Sequence, residues 1–114
     1  MRAFLVALLV VLPLAGCAQP GAPAEQKVVV RIVDGPEGSF TFVPARVTAL
    51  PNQVVEWRNE GNGTHSMQPN EFPVSTRAFG PGESAQLKFG EVGAHGVHCT
   101  FHPNMTMVVE IVRG

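Results

Sequence analysis

Beyond residue 26 the apolar positions of this chain recur at the period of a strand rather than of a helix. Val28-Val29-Val30-Arg31-Ile32-Val33 is a β-branched run closed by Asp34-Gly35-Pro36. Phe40-Thr41-Phe42 alternates and stops at Pro44. Arg46-Val47-Thr48-Ala49 follows and turns at Pro51-Asn52. Val54-Val55-Glu56-Trp57 leads into the loop signal Glu60-Gly61-Asn62-Gly63. After the Pro81-Gly82 turn, Ala85-Gln86-Leu87-Lys88-Phe89 alternates again. Residues 97–99 are a short apolar stretch, and residues 106–112 end the chain as a strand. Short runs at such regular spacing, separated by turn residues, predict an all-β sandwich of seven or eight strands. Trp57 is expected in its core, and Glu56, Glu60 and Glu91 are expected on a solvated surface.

The first sixteen residues do not fit this pattern. Residues 4–12 form an unbroken apolar run behind Arg2, too short to span a bilayer and stay there, and small residues follow. This is the pattern of a secretory signal peptide, over residues 1–16. Its end, Leu14-Ala15-Gly16-Cys17, resembles the lipobox of bacterial lipoproteins. That resemblance implies that Cys17 is lipidated and becomes the new N-terminus. The chain would then sit outside the cytoplasm, in a periplasm or at a cell surface, anchored to a membrane through Cys17. Residues 17–26, rich in Ala, Pro, Gly and Gln, read as a tether, which leaves residues 27–114 as the domain.

Composition sharpens this division. Five of the seven leucines lie in the leader, and the remainder holds 14 valines against two leucines and two isoleucines. Such a chain forms helices poorly and strands well. Eight Lys and Arg against nine Asp and Glu give a net charge of −1, which supplies no basic footprint for nucleic acid. Two cysteines exclude a disulfide-dense scaffold. If Cys17 carries lipid, Cys99 is a lone thiol in an oxidising compartment, where cysteines normally pair. Burial or a metal would account for it.

The chemistry gathers around that residue. In Cys99-Thr100-Phe101-His102-Pro103-Asn104-Met105 a cysteine and a histidine stand three apart, at a strand end and the loop after it. His65 lies in the loop after the Trp57 strand, and loops of a sandwich meet at its ends. His65, Cys99 and His102 can therefore form a trigonal set of two imidazoles and a thiolate. Met105 is placed to add a thioether. This is the donor set expected for blue copper. Met107 competes with Met105 for the axial position, but it would share one face of the last strand with Val109 and Ile111, as core. His98 precedes Cys99 on a strand and should point the other way. His95, at an odd separation from His98, should face opposite to it, and both are expected to be solvated or capping.

In order and spacing these residues resemble the cupredoxins of the plastocyanin and amicyanin kind. The matching pattern covers nearly the whole domain. It begins with Phe42-Val43-Pro44-Ala45 and the strand Val54-Val55-Glu56-Trp57-Arg58-Asn59. It continues through the His65 loop, Pro81-Gly82-Glu83-Ser84 and Gly93, and ends in the segment from Cys99 to Met105. The resemblance implies a Greek-key β-sandwich with one type 1 copper ion held by His65, Cys99, His102 and Met105. It implies a one-electron carrier rather than an enzyme, monomeric, with transient protein redox partners. His102 would be the electron port, within an apolar patch of Phe101, Pro103, Met67 and Pro69. Two features depart from the family: Ser66 stands where an Asn commonly follows the first histidine, and His95 replaces an aromatic residue before the cysteine. A copper-delivering lipoprotein would share the ligand set. A metal-free adhesion sandwich would leave Cys99 as a buried small hydrophobe and the His65, His102 and Met105 spacing unexplained.

Overall fold

The computed structural model describes residues 26–114. The signal peptide, Cys17 and nearly all of the tether expected from the sequence lie outside the described residues. Eight strands form two four-stranded sheets, and the helical structure among the described residues is one 3-10 turn, Pro36–Gly38. The strands are β1 (Val28–Asp34), β2 (Phe40–Val43), β3 (Arg46–Ala49), β4 (Val54–Asn59), β5 (Met67–Pro69), β6 (Ser84–Lys88), β7 (Gly93–Cys99) and β8 (Thr106–Ile111). One sheet runs β2-β1-β4-β6 and the other β3-β8-β7-β5. β1 pairs with β4, and β3 with β8, in parallel; every other pairing is antiparallel. This is the expected sandwich.

The alternation read in the sequence sets which side chains face inward. Val30 and Ile32 from β1, Phe42 from β2, and Val55 and Trp57 from β4 meet Val47, Ala49, Met67, Val97, Cys99, Met107, Val109 and Ile111 from the other sheet. Trp57 is fully buried, and its indole N–H donates to Met107 Sδ at 3.1 Å. Burying a Trp body while bonding its one polar atom suits this residue to a sandwich centre. At the Pro81-Gly82 turn, Glu83 N–H donates to Gly80 O at 3.0 Å, and Gly82 has φ 78°. This backbone follows the type II pattern, which places glycine third.

Three sequence expectations need revision. β5 is only three residues and ends in a proline, so no periodic signal marks it. β7 begins at Gly93, well before the apolar stretch at 97–99, because its first half carries two glycines and a histidine. Glu56 is on the outward face of β4, as alternation requires, yet it is buried. Lys27 at 3.2 Å, Arg58 at 2.8 Å and Gln86 at 2.8 Å enclose its carboxylate. These bonds, Arg58's first and then Gln86's, hold its pKa down to about 2, against the opposing effect of burial.

Candidate metal centre

One strand end and two loops build the site. Cys99 is the last residue of β7 and lies opposite Met67 of β5. Beyond it the chain folds back in two consecutive turns: His102 N–H donates to Cys99 O at 3.3 Å, and Met105 N–H to His102 O at 2.8 Å. Cys99 N–H then closes the loop onto Met105 O at 3.1 Å. This fixes Cys99, His102 and Met105 relative to one another with backbone bonds alone. His65 enters from the other side, two residues before β5, held by paired backbone bonds to Phe79 of 3.0 and 2.8 Å.

Asn59, buried at the end of β4, shapes the loop that carries His65. Its amide donates to Gly63 O at 2.7 Å and Phe79 O at 3.4 Å, and its side-chain oxygen accepts from Gly61 N–H at 3.1 Å. Gly63 is needed where it stands, because a Cβ there would lie 2.5 Å from the Phe40 ring. The Phe40 ring packs edge-on against His65 with centroids 4.7 Å apart, and tilted against His102 at 4.6 Å.

The three expected donors converge. His65 Nδ1 lies 3.7 Å and His102 Nδ1 3.5 Å from Cys99 Sγ, and the three ligand atoms lie within 4.8 Å of one another. Cys99 and His65 are 0% exposed, whereas His102 is half-buried. Metal–nitrogen bonds of about 2.0 Å and metal–thiolate bonds of about 2.3 Å, opened to about 120°, put a nitrogen and a sulfur about 3.7 Å apart. The observed spacing therefore accommodates a trigonal ion. A neutral imidazole has one N–H and one lone pair. His65 Nε2 is buried without a partner, so this ring is not oriented by a bond at that atom. Its Nδ1 faces the sulfur, as a ligand nitrogen must. Burial and then the neighbouring His102 lower the pKa of His65, against a raising influence from Asp34. The neutral form is the one that binds metal.

The two methionines separate cleanly. Met105 is buried in the ligand loop and, with Gly38, Ser39, Phe40, His102 and Asn104, lines a recess of about 220 Å³. Met107 is core, with its sulfur bonded to Trp57. His98 points away from Cys99, as expected, and its Nδ1 lies 2.6 Å from Asn70 Oδ1. His95 shares the inward face with Val97 and Cys99 and is buried rather than solvated. Its Nε2 lies 2.7 Å from Glu91 O, and its ring packs 5.3 Å from Phe89. It is remote from the cluster because it is four residues back along the same strand, about 13 Å. The parity argument applied to His98 already implied its inward direction.

Of the patch expected around His102, Phe101 is 55% exposed and Pro103 is exposed, but Met67 and Pro69, on β5 beside β7, are buried. Ser66 does not itself link the ligand loops. Its hydroxyl donates to Thr76 O at 2.9 Å, and the tie is a backbone bond from Thr100 N–H to Ser66 O at 2.8 Å.

No protein-family model matches the chain. Solved structures do. A purple cupredoxin from Nitrosopumilus maritimus superposes with a TM-score of 0.67 at 19% identity, over 75% of this chain and 99% of that one. Amicyanin from Paracoccus versutus gives 0.62 at 22% identity, over 76% of this chain and 82% of the other. A copper-containing nitrite reductase from Thermus scotoductus SA-01 gives 0.62 at 22% identity, over 77% of this chain but 23% of its own. The two sheets and the placing of the cluster at one end of them define the class: this chain has the cupredoxin fold.

Proposed function

We propose that the protein is a membrane-tethered type 1 copper protein that carries single electrons between redox partners outside the cytoplasm. One observation carries the reading: two imidazole Nδ1 atoms converge on a buried thiol, 3.7 and 3.5 Å away, inside a cupredoxin fold. His65, Cys99 and His102 would hold the ion, and Met105 would add a weak thioether donor. A mixed nitrogen and sulfur set suits copper in both of its common oxidation states. Copper held there would take up one electron as Cu(II) and release it as Cu(I). An amicyanin of the same fold is known in a reduced Cu(I) form.

The chain's own residues do the rest. The loop bonds around Cys99 hold the donors in place, so little has to move when charge changes. His65, Cys99 and Phe40 keep water from the interior side. His102 is the half-buried member, next to exposed Phe101 and Pro103, and is the route by which an electron enters and leaves. Small, transient contacts suit that exchange. Buried donors also favour retention of the metal over delivery to another protein, the competing reading of the same ligands. The anchor is Cys17.

The test is Cu(II) addition to the purified protein, read by visible absorption. An intense red-region band that disappears in Cys99→Ser is expected, together with reversible reduction at an electrode. A colourless or weakly held product overturns the carrier. Rapid loss of copper to a mild chelator would favour delivery instead. Met105→Leu should shift the reduction potential strongly while Met107→Leu leaves it nearly unchanged.

A further inference from the structure

The two sheets present very different outer faces. Strand alternation puts Lys27, Val29, Arg31 and Val33 on the outer side along β1, and the register continues that face across its neighbours. Arg31 lies beside Arg58 on one side and Val43 on the other, Val29 beside Glu56, and Val54 beside Lys88. Four cations, Lys27, Arg31, Arg58 and Lys88, thus stand among partly exposed valines. Two carboxylates oppose them. Glu56 lies beneath Lys27 and Arg58, and Glu60 at the rim pairs with Arg31. The face is net positive in a chain whose total is −1. Arg31 and Arg58 are neighbours in the ladder on the same side; Arg31 pairs with Glu60 and Arg58 with Glu56, which Lys27 also shares, so among the described residues the four cations have only these two carboxylates between them. On the other sheet the one strand cation facing outward, Arg46, is matched by Glu110 at 2.6 Å.

The course of the chain selects the anion for this face. Gln53 Nε2–H donates to Gln26 O at 2.8 Å, which fixes Gln26 at the Lys27 end of this sheet, where β1 begins. Nine residue steps separate Gln26 from Cys17, a reach of at most about 30 Å. A domain held that near a bilayer meets it at high effective concentration, and a few basic side chains then suffice to set its orientation.

We propose that the outer face of the β2-β1-β4-β6 sheet rests on the anionic headgroups of the membrane to which the chain is anchored. This rests on the proposed anchoring through Cys17. In that pose β1 lies along the bilayer. Its Lys27 end marks where the tether enters, and its Asp34 end adjoins Asn62 and the His65 loop. The metal centre then faces sideways, along the membrane plane, toward partners held in the same membrane.

The test uses the full chain, expressed with its own leader, in nanodiscs of phosphatidylcholine and phosphatidylglycerol doped with a gadolinium-bearing lipid. Amide relaxation by NMR reads which face lies near the lipid. Relaxation should be enhanced over residues 29–33 and 54–58 and far less over 46–49 and 106–110. The contrast should fade in pure phosphatidylcholine and at high salt. Each basic residue strengthens attraction to an anionic surface about fivefold, so Arg58→Gln with Lys88→Gln should lower the docked-to-free ratio about 25-fold. Arg46→Gln with Arg113→Gln should leave it unchanged.

Equal enhancement on both faces, or a contrast indifferent to lipid charge, overturns the docking while leaving the anchor intact. A chain that fails to co-float with vesicles whether or not Cys17 is replaced by serine overturns the anchor, and the docking with it. Absence of a lipid contrast, combined with weaker binding of an acidic redox protein in the double variant, would reassign the face to a protein and likewise overturn the proposal. Copper loading, read by colour in the same samples, reports on the carrier independently.

Discussion

Met107 has a sulfur that is already in use, as acceptor for the Trp57 indole at 3.1 Å. Met107→Leu keeps the volume but removes that acceptor, leaving a buried N–H unpaired. The expected cost is about 1–3 kcal/mol in denaturant unfolding of the apoprotein, with the copper colour unaffected. Glu56 makes a second prediction at this scale. Its pKa is depressed from 4.5 to about 2, so the unfolded state binds the proton more readily. The stability it contributes is complete above about pH 5 and is lost as pH falls toward 2. We expect wild type to exceed Glu56→Gln by on the order of 2 kcal/mol near neutrality, with the gap closing toward pH 2 in urea melts. A gap that did not change with pH would show that the carboxylate's charge is not what matters. Alternation placed Glu56 on the correct face in the sequence. Its burial was not legible, because it depends on three side chains from three different segments. Cys99, His65 and His102 were legible, since their chemistry is rare and a sandwich end brings such loops together.

At the scale of elements, strands with a β-branched rhythm could be read directly, and β1, β4 and β8 lie within a residue or two of where the pattern put them. β5 could not be read, because three residues including a proline carry no period. It is ordered by pairing with β7, a tertiary effect. The loop from Glu60 to His65 is another tertiary product, shaped by Asn59. Asn59→Ala leaves Gly63 O and Gly61 N–H short of their partner, and should cost about 2–3 kcal/mol in thermal unfolding of the apoprotein. Because that loop carries His65, copper uptake should weaken in the same variant. Unchanged copper affinity alongside lowered stability would mean that the Phe79 ladder alone positions His65.

At the scale of the molecule, the two ends of the sandwich are distinct. The chain enters at the Lys27 end of β1, while the His65, Cys99 and His102 cluster sits at the other end, so the proposed anchor and the proposed exchange surface need not compete for space. Fold class was legible from the pattern, whereas the pairing order was not, because parallel partners such as β1 and β4 are set by long-range contacts. The proposed ligands also share one sheet: Cys99 ends β7, His102 and Met105 join β7 to β8, and His65 leads into β5, which pairs with β7. The opposite sheet contributes packing, chiefly through Phe40. A bound ion would therefore act as a rivet within a single sheet rather than a bolt between two. Amide hydrogen exchange should slow most in β5, β7 and β8 on copper loading, with β1 and β4 left close to their apo rates. Even slowing across both sheets would mean that the ion locks the whole sandwich. With the expected pattern, losing the metal would loosen one wall of the sandwich and leave the other, with its basic face, standing.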